Sequence, residues 1–255
     1  MRLHTICERL DAELRTEDFA EIDGSPNGLQ VGPTDADIHH VAVAVDAALA
    51  TIDEAVALEA DLLITHHGLW WEGTERVTGR TFERVQRLIE HDIALYVSHL
   101  PLDAHPEIGN AAGVGDVLDL TDRQPFGTYR SAYLGQRGRL ADPVAISDLV
   151  DTLETSLPGA EGAVQVLPFG SDQIESIAIV TGSGIDYIEE AVAVDADVLL
   201  TGEGKHGAVH EAKELGINVI LAGHYATETT GVRSIMSLLD DWGLEAAFID
   251  HPTGL

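Results

Sequence analysis

Two adjacent histidines, His66 and His67, close one copy of a duplicated segment. Ile52 to Gly68 reads IDEAVALEADLLITHHG, and Ile188 to Gly204 reads IEEAVAVDADVLLTGEG. Ten of the 17 aligned positions are identical, at a constant offset of 136. The copies part at their polar ends, His66-His67 in the first and Gly202-Glu203 in the second. A scaffold kept twice, with different chemistry at its two ends, suggests one site assembled from two halves. Imidazole nitrogens suit borderline divalent ions such as Zn²⁺, Mn²⁺, Fe²⁺ or Ni²⁺, so the site reads as a metal centre.

The repeat continues with a slightly changed offset. Ser98-His99-Leu-Pro-Leu-Asp103 in the first copy answers Gly223-His224-Tyr-Ala-Thr-Glu228 in the second. Both read His-x-x-x-carboxylate just beyond an expected strand, at the sheet edge where open α/β folds bind ligands. His66, His67, Asp103, His224 and Glu228 can therefore meet from distant segments of the chain. Histidines with two carboxylates suit a dinuclear centre with one bridging carboxylate. Glu228 is the candidate bridge, its charge favoured near a helix N-terminus. On an extended chain His66 and His67 point apart, whereas at a strand-to-loop bend they can address two ions. His99 reads as support for a ligand and as a proton carrier. Glu203 stands where the first copy has His67. It reads either as an acid/base or ligand holder or as a plain helix-N-terminal acid.

The other polar candidates carry less. Asn27-Gly-Leu-Gln30 supplies amide contacts to a substrate or forms a turn into an edge strand. His39 and His40, like His4, His91 and His251, read as surface residues, and His105, His206 and His210 as residues of solvated turns. Cys7 reads as a core side chain.

The elements that must hold these residues are legible in the apolar spacing. Helical spacing over residues 3–18 leads into a turn-rich passage, then a strand at Ile38 to Val45, a helix over 47–60 and a strand at Asp61 to Thr65. A helix at Thr81 to His91 and a strand at Ile93 to Val97 follow. The second half repeats the order with strands at Ile177–Val180, 197–201 and 217–221, helices at 185–195, 206–215 and about 228–241, and a last strand at Glu245 to Ile249. Alternation of this kind implies an α/β fold with crossover helices. The expected division is a first α/β half over 1–120, an inserted α+β segment over 121–175 that could cover the site, and a second α/β half over 176–255.

Composition bounds the rest. With 44 acidic against 14 basic residues, the net charge is −30, and the acids are spread along the chain. Such a field disfavours nucleic acid, which needs a basic stripe. With only two lysines, it reads as adaptation to a salt-rich cytosol. No apolar run is long enough to span a bilayer, and the first residues lack a signal-peptide core. A lone cysteine suits a reducing cytoplasm, so the expected location is cytoplasmic.

Five stretches resemble the YbgI branch of the NIF-three-like family, whose members are often labelled GTP cyclohydrolase 1 type 2 homologs. They are Pro26-Asn-Gly-Leu-Gln-Val31, His66-His-Gly68, His99-Leu-Pro-Leu-Asp-Ala-His-Pro-Glu-Ile-Gly-Asn110, Thr201-Gly-Glu203 and Ala222-Gly-His-Tyr-Ala-Thr-Glu228. The resemblance implies a two-metal site on His66, His67, Asp103, His224 and Glu228. It also implies two intertwined α/β halves with helix-covered sheets and a ring-shaped homohexamer with its sites facing inward. The expected activity is metal-dependent hydrolysis of a small molecule, with Glu203 or His99 carrying the proton. The alternative is a non-catalytic assembly that stores, delivers or senses divalent ions.

Overall fold

The computed structural model describes residues 1–71, 73 and 76–254. Its backbone divides into two compact units, Met1–Leu102 with Val232–His251, and Asp103–Gly231 with the C-terminal residues from Pro252. The fold is mixed α/β, with two sheets covered by helices. Among the described residues, no helix is long and apolar enough to cross a membrane.

The first unit opens with α1 (Leu3–Leu14), whose Leu3, Ile6, Leu10 and Leu14 are buried at the expected helical spacing. Then come β1 (Gly28–Val31), β2 (Val41–Asp46), α2 (Leu49–Ala57), β3 (Leu62–His67), α3 (Gly79–Glu90), β4 (Ala94–Val97) and the short α4 (Leu100–Asp103). Strands β2, β3 and β4 are parallel, and β1 lies antiparallel on β4. Buried Ala42, Ala44, Leu63, Leu95 and Val97 of the sheet pack with Ile52 and Ala55 of α2 and Leu88 of α3.

The second unit contains α5 (Asn110–Val117), β5 (Thr121–Tyr129), β6 (Ala132–Ala145), α6 (Ile146–Ser156), β7 (Gln165–Leu167), β8 (Gln173–Ile179), α7 (Ile188–Ala193), β9 (Val198–Thr201), α8 (Ala208–Leu215) and β10 (Asn218–Leu221). Helix α9 (His224–Asp241) starts in this unit, and from Val232 its residues belong to the first. The last strand, β11 (Ala246–Phe248), pairs with β2, completing the order β1-β4-β3-β2-β11. The second sheet runs β5-β6-β8-β9-β10-β7. Its strands alternate sides. Ile177, Ile179, Val198, Leu200 and Ile220 face Leu149 and Leu153 of α6. Ala178, Leu199 and Val219 face Ile188 and Ala191 of α7 and Ala212 of α8.

The duplication seen in the sequence is a duplication of register. Val41 pairs with Leu62 in the first sheet, and Ile177 pairs with Val198 in the second, both at the repeat offset. Glu59 and Asp195 occupy equivalent positions with left-handed φ values of 54° and 55°. Asp61 accepts from the backbone N–H groups of His39 and His40 at 2.7 and 2.9 Å, and its twin Asp197 accepts from those of Glu175 and Ser176 at 2.9 and 2.8 Å. Each carboxylate thus ties the loop before one strand to the backbone at the neighbouring strand. Removing such charge-assisted acceptors costs about 1.5–3 kcal/mol. Asp61→Ala and Asp197→Ala are therefore each expected to lower the unfolding free energy by that amount, measured in chemical unfolding.

Residues 121–175 supply β5, β6, α6 and β7. Here the structure shows a correspondence that the residues do not display. Strand β7 lies antiparallel on β10 as β1 lies on β4, and a helix precedes each of these edge strands.

Candidate metal centre

Because β2, β3 and β4 are parallel, their C-terminal ends bring Asp46, His66, His67 and Ser98-His99 to one edge of the first sheet. Strand β3 continues through His67 rather than bending before it. The two imidazoles nevertheless lie with centroids 4.6 Å apart, because each leans toward a different neighbour. His66, wholly buried, donates from Nδ1 to the carbonyl oxygen of Ser98, just past β4, at 2.9 Å. His67 Nδ1 meets Asp46 Oδ1, at the end of β2, also at 2.9 Å. His99 Nδ1 meets Asp23 Oδ1 at 2.9 Å. Carbonyl and carboxylate oxygens accept, so each Nδ1 carries a proton, which in a neutral imidazole makes Nε2 the nitrogen able to ligate a metal.

His66, His67 and His99 form one group whose ligand atoms all lie within 4.8 Å of one another. An ion at about 2.0–2.1 Å from each nitrogen needs them within about 4.2 Å of one another, so a group of this size needs at most a small side-chain adjustment to close on one. His99, expected as a support, thus stands beside the two histidines as a third donor.

Asp23 was not singled out by its sequence context, yet it organises this edge. Its side chain is 1% exposed. Its carboxylate accepts from Ser25 N at 2.9 Å, Asn27 Nδ2 at 2.8 Å and Leu100 N at 3.0 Å, as well as from His99. Four donors fill its four lone-pair positions. Burial works against its charge, but the hydrogen bond and charge of His99 and the bonds from Asn27 and Ser25 hold its carboxyl below the ordinary range. The signal available was the turn Asp23-Gly-Ser-Pro-Asn27, where Asp bonding two residues on is common; its 76-residue reach to His99 is not a local property. Asn27 Oδ1 accepts from His99 N at 2.7 Å, and Gln30 Oε1 accepts from Leu69 N at 2.9 Å. The Asn27–Gln30 turn therefore enters an edge strand while bracing both histidine loops.

In the second unit, the equivalent edge carries Gly182, Glu203 and His224 beyond β8, β9 and β10. Helix α9 begins at His224, earlier than the apolar spacing predicts, directly after Gly223 turns the chain at φ 94°. His224 and Glu228 are then one helical turn apart, with Nε2 and Oε1 at 3.1 Å. Glu203 Oε1 lies 3.4 Å from His224 Nδ1 and accepts from the Ser183 hydroxyl. Burial disfavours a charged His224, but the hydrogen bond and charge of Glu228, then those of Glu203, raise its pKa to about 9. The Ser183 hydroxyl does most to hold the Glu203 carboxyl below its usual value, against a smaller effect of burial and with help from His224. Asp103 accepts from Asn110 Nδ2 at 2.8 Å, and an oxygen of it comes within 4.8 Å of one from buried Glu228. Two carboxylates this close repel unless a cation or a proton is shared between them. Imidazoles and carboxylates of this kind are donors that a divalent ion accepts.

The glycines at the divergent end have a steric cause. A Cβ on Gly202, the twin of His66, would stand 2.6 Å from the Gly182 carbonyl oxygen and 2.7 Å from His224 Cα. At Gly182, the twin of Asp46 with φ +58°, it would stand 2.3 Å from Glu228 Oε1 and 3.1 Å from His224 Nε2. Where the first copy places donors, the second leaves room for His224 and Glu228. Gly182→Ala is expected to fold with a backbone penalty of about 1–2 kcal/mol and to weaken metal binding at least ~10-fold. Gly162→Ala carries a similar strain (φ +68°) with open space around it, and should leave affinity unchanged in the same chelator competition.

The family model for Duf34/NIF3 (NGG1p interacting factor 3) matches residues 1–254. The chain belongs to the Duf34/NIF3 family. Among relatives of this Duf34/NIF3 chain, a "GTP cyclohydrolase 1 type 2 homolog" of Halobacterium salinarum is 50% identical over 255 residues, covering all of both chains. Two solved structures superimpose over the full length of both chains with a TM-score of 0.90. These are TTHA1606 from Thermus thermophilus, 38% identical, and the protein ybgI, described as of unknown function, 32% identical.

The remaining histidines of this Duf34/NIF3 chain lie elsewhere. His39, His40, His91, His206, His210 and His251 are exposed. His4 meets Asp35 at 2.9 Å, and His105 Nδ1 accepts from the N–H groups of Glu107 and Ile108. Burial, with Asp11 adding to it, pushes the Cys7 thiol up to about 11, away from a nucleophile's range.

Proposed function

We propose that the chain is a dinuclear metal-dependent hydrolase. The proposed ligands are His66, His67, Asp103, His224 and Glu228, with Glu228 bridging. The observation that carries this reading is the set of three imidazoles whose Nδ1 atoms each meet an oxygen acceptor and whose ligand atoms lie within 4.8 Å of one another. Bound divalent ions would supply a lowered water pKa and polarise the bond under attack. Asp46 keeps His67 in the coordinating tautomer, and Asp23 holds the His99 ring beside it. Glu203, ionised and beside His224, accepts a proton during turnover or steadies that imidazole, and His99 is the second candidate proton carrier.

The name shared by the relatives would make the substrate GTP, opened at a C–N bond of its ring. A phosphoester fits the same residues. We place the protein in the cytoplasm as a homohexamer, for which light scattering should give about six times the mass of one chain. Metal analysis followed by turnover of GTP and p-nitrophenyl phosphate tests the hydrolase. About two ions per chain with turnover of either substrate supports it. Loaded protein that turns over neither fits the storage or delivery role instead. Glu203→Gln is expected to keep its metal and lose most turnover.

A further inference from the structure

We propose that Trp71 is a positioning residue, a stacking platform that holds a planar aromatic or heteroaromatic ring of the substrate beside the three-histidine group. The proposal rests on reading that group as a metal centre. Aromatic residues make up 5% of the chain, and several of the large rings are buried, Tyr96, Phe126 and Tyr225 among them. Trp71 is 48% exposed. Exposure alone says little, since Phe82 and Tyr133 are as open. What sets Trp71 apart is its company.

Its ring stands edge-on to His99, with centroids 4.8 Å apart at 87°, and 6.0 Å from His67. Both imidazoles are fixed from behind, by Asp23 and Asp46, so the indole rests against rings that do not swing away. The preceding Trp70 packs against the core of the first unit and anchors this stretch of chain. The indole is thus in contact with fixed rings and still about half exposed. A flat ring laid on its open surface removes apolar area from water and gains π-stacking, and such stacking is enough to shift affinity by about 10-fold or more. A sugar or an aliphatic acid gains neither. The substrate class the geometry selects is one with a flat ring next to the bond that is cleaved.

The test is calorimetric titration of metal-loaded wild type, Trp71→Phe and Trp71→Ala with guanosine, and with ribose as its ring-free counterpart. Metal content is measured on every preparation. Expected are saturable guanosine binding to wild type, affinity within about 3-fold for Trp71→Phe, and a loss of about 10-fold or more for Trp71→Ala. Ribose should give no binding, and all three proteins should hold the same metal. Wild-type affinity in Trp71→Ala, equal losses in both variants, loss of metal from Trp71→Ala, or no guanosine binding to loaded wild type would each overturn the proposal. A wild type that takes up no metal overturns the hydrolase reading instead, whatever guanosine does.

Discussion

Replacing His67 with alanine is expected to leave the protein folded and to lower its metal affinity by more than ~100-fold. The imidazole is 18% exposed at the C-terminal end of β3, so its removal leaves the strand's backbone pairing and the buried core intact. What disappears is one of three nitrogens held within 4.8 Å of one another. A graded series separates ligand from support. Asp46→Asn keeps His67 in place but offers an amide where a carboxylate fixed the Nδ1–H tautomer. An outer partner of this kind is worth about 10–100-fold in affinity, or about 1.4–2.8 kcal/mol. His39→Ala, in the exposed pair tied down by Asp61 through its backbone, should change nothing. Competition with a chelating indicator reads all three. Equal affinities for His67→Ala and wild type would remove His67 from the ligand set.

The second large effect is expected from salt. Raising KCl from about 0.1 M to about 2 M should raise the Tm by about 10 °C or more. Were every one of the 14 basic residues paired, a net charge of −30 would still repel itself. The pairs that do form, such as Arg139 with Glu175 and Arg87 with Asp53, are exposed, and screening costs each about 1 kcal/mol at most. The repulsion among dispersed carboxylates is longer in range and falls as the Debye length shrinks from about 10 Å to about 3 Å or less. Scanning calorimetry across the series checks the sign. A flat or falling Tm would mean that the acidic surface is not an adaptation to salt.

Much of the candidate site was legible because evolution wrote its scaffold twice. The contrast of His66-His67 with Gly202-Glu203 pointed to the candidate site, and the His-x-x-x-carboxylate echo added His224, Glu228 and Asp103 as candidates. Asp61 and Asp197 were visible as identities, but their shared task, tying down the neighbouring backbone, is a contact and not a pattern. Asp23 escaped because a turn aspartate bonds locally as a rule, and only the fold carries His99 to it. The likeness of β7 to β1 escaped for a related reason, since an edge strand is specified by alternation and pairing, which unrelated residues satisfy. Helix α9 starts early because Gly223 permits the turn that puts His224 on its first residue; helical spacing reads regular apolar faces, and its first eight residues, HYATETTG, alternate Tyr225 and Ala226 with polar side chains and show none. Trp71 lies only a few residues beyond His66-His67-Gly68, yet its exposure beside two fixed imidazoles is a property of three dimensions.

The most direct measurement is anomalous diffraction from crystals grown with Mn²⁺ or Zn²⁺. Expected are two peaks per chain, with the Nε2 atoms of His66 and His67 and oxygens of Asp103 and Glu228 among the ligands, His224 completing the set. Peaks absent from the three-histidine group, or ions held only by exposed acids, would contradict the assignment of this edge as a metal centre.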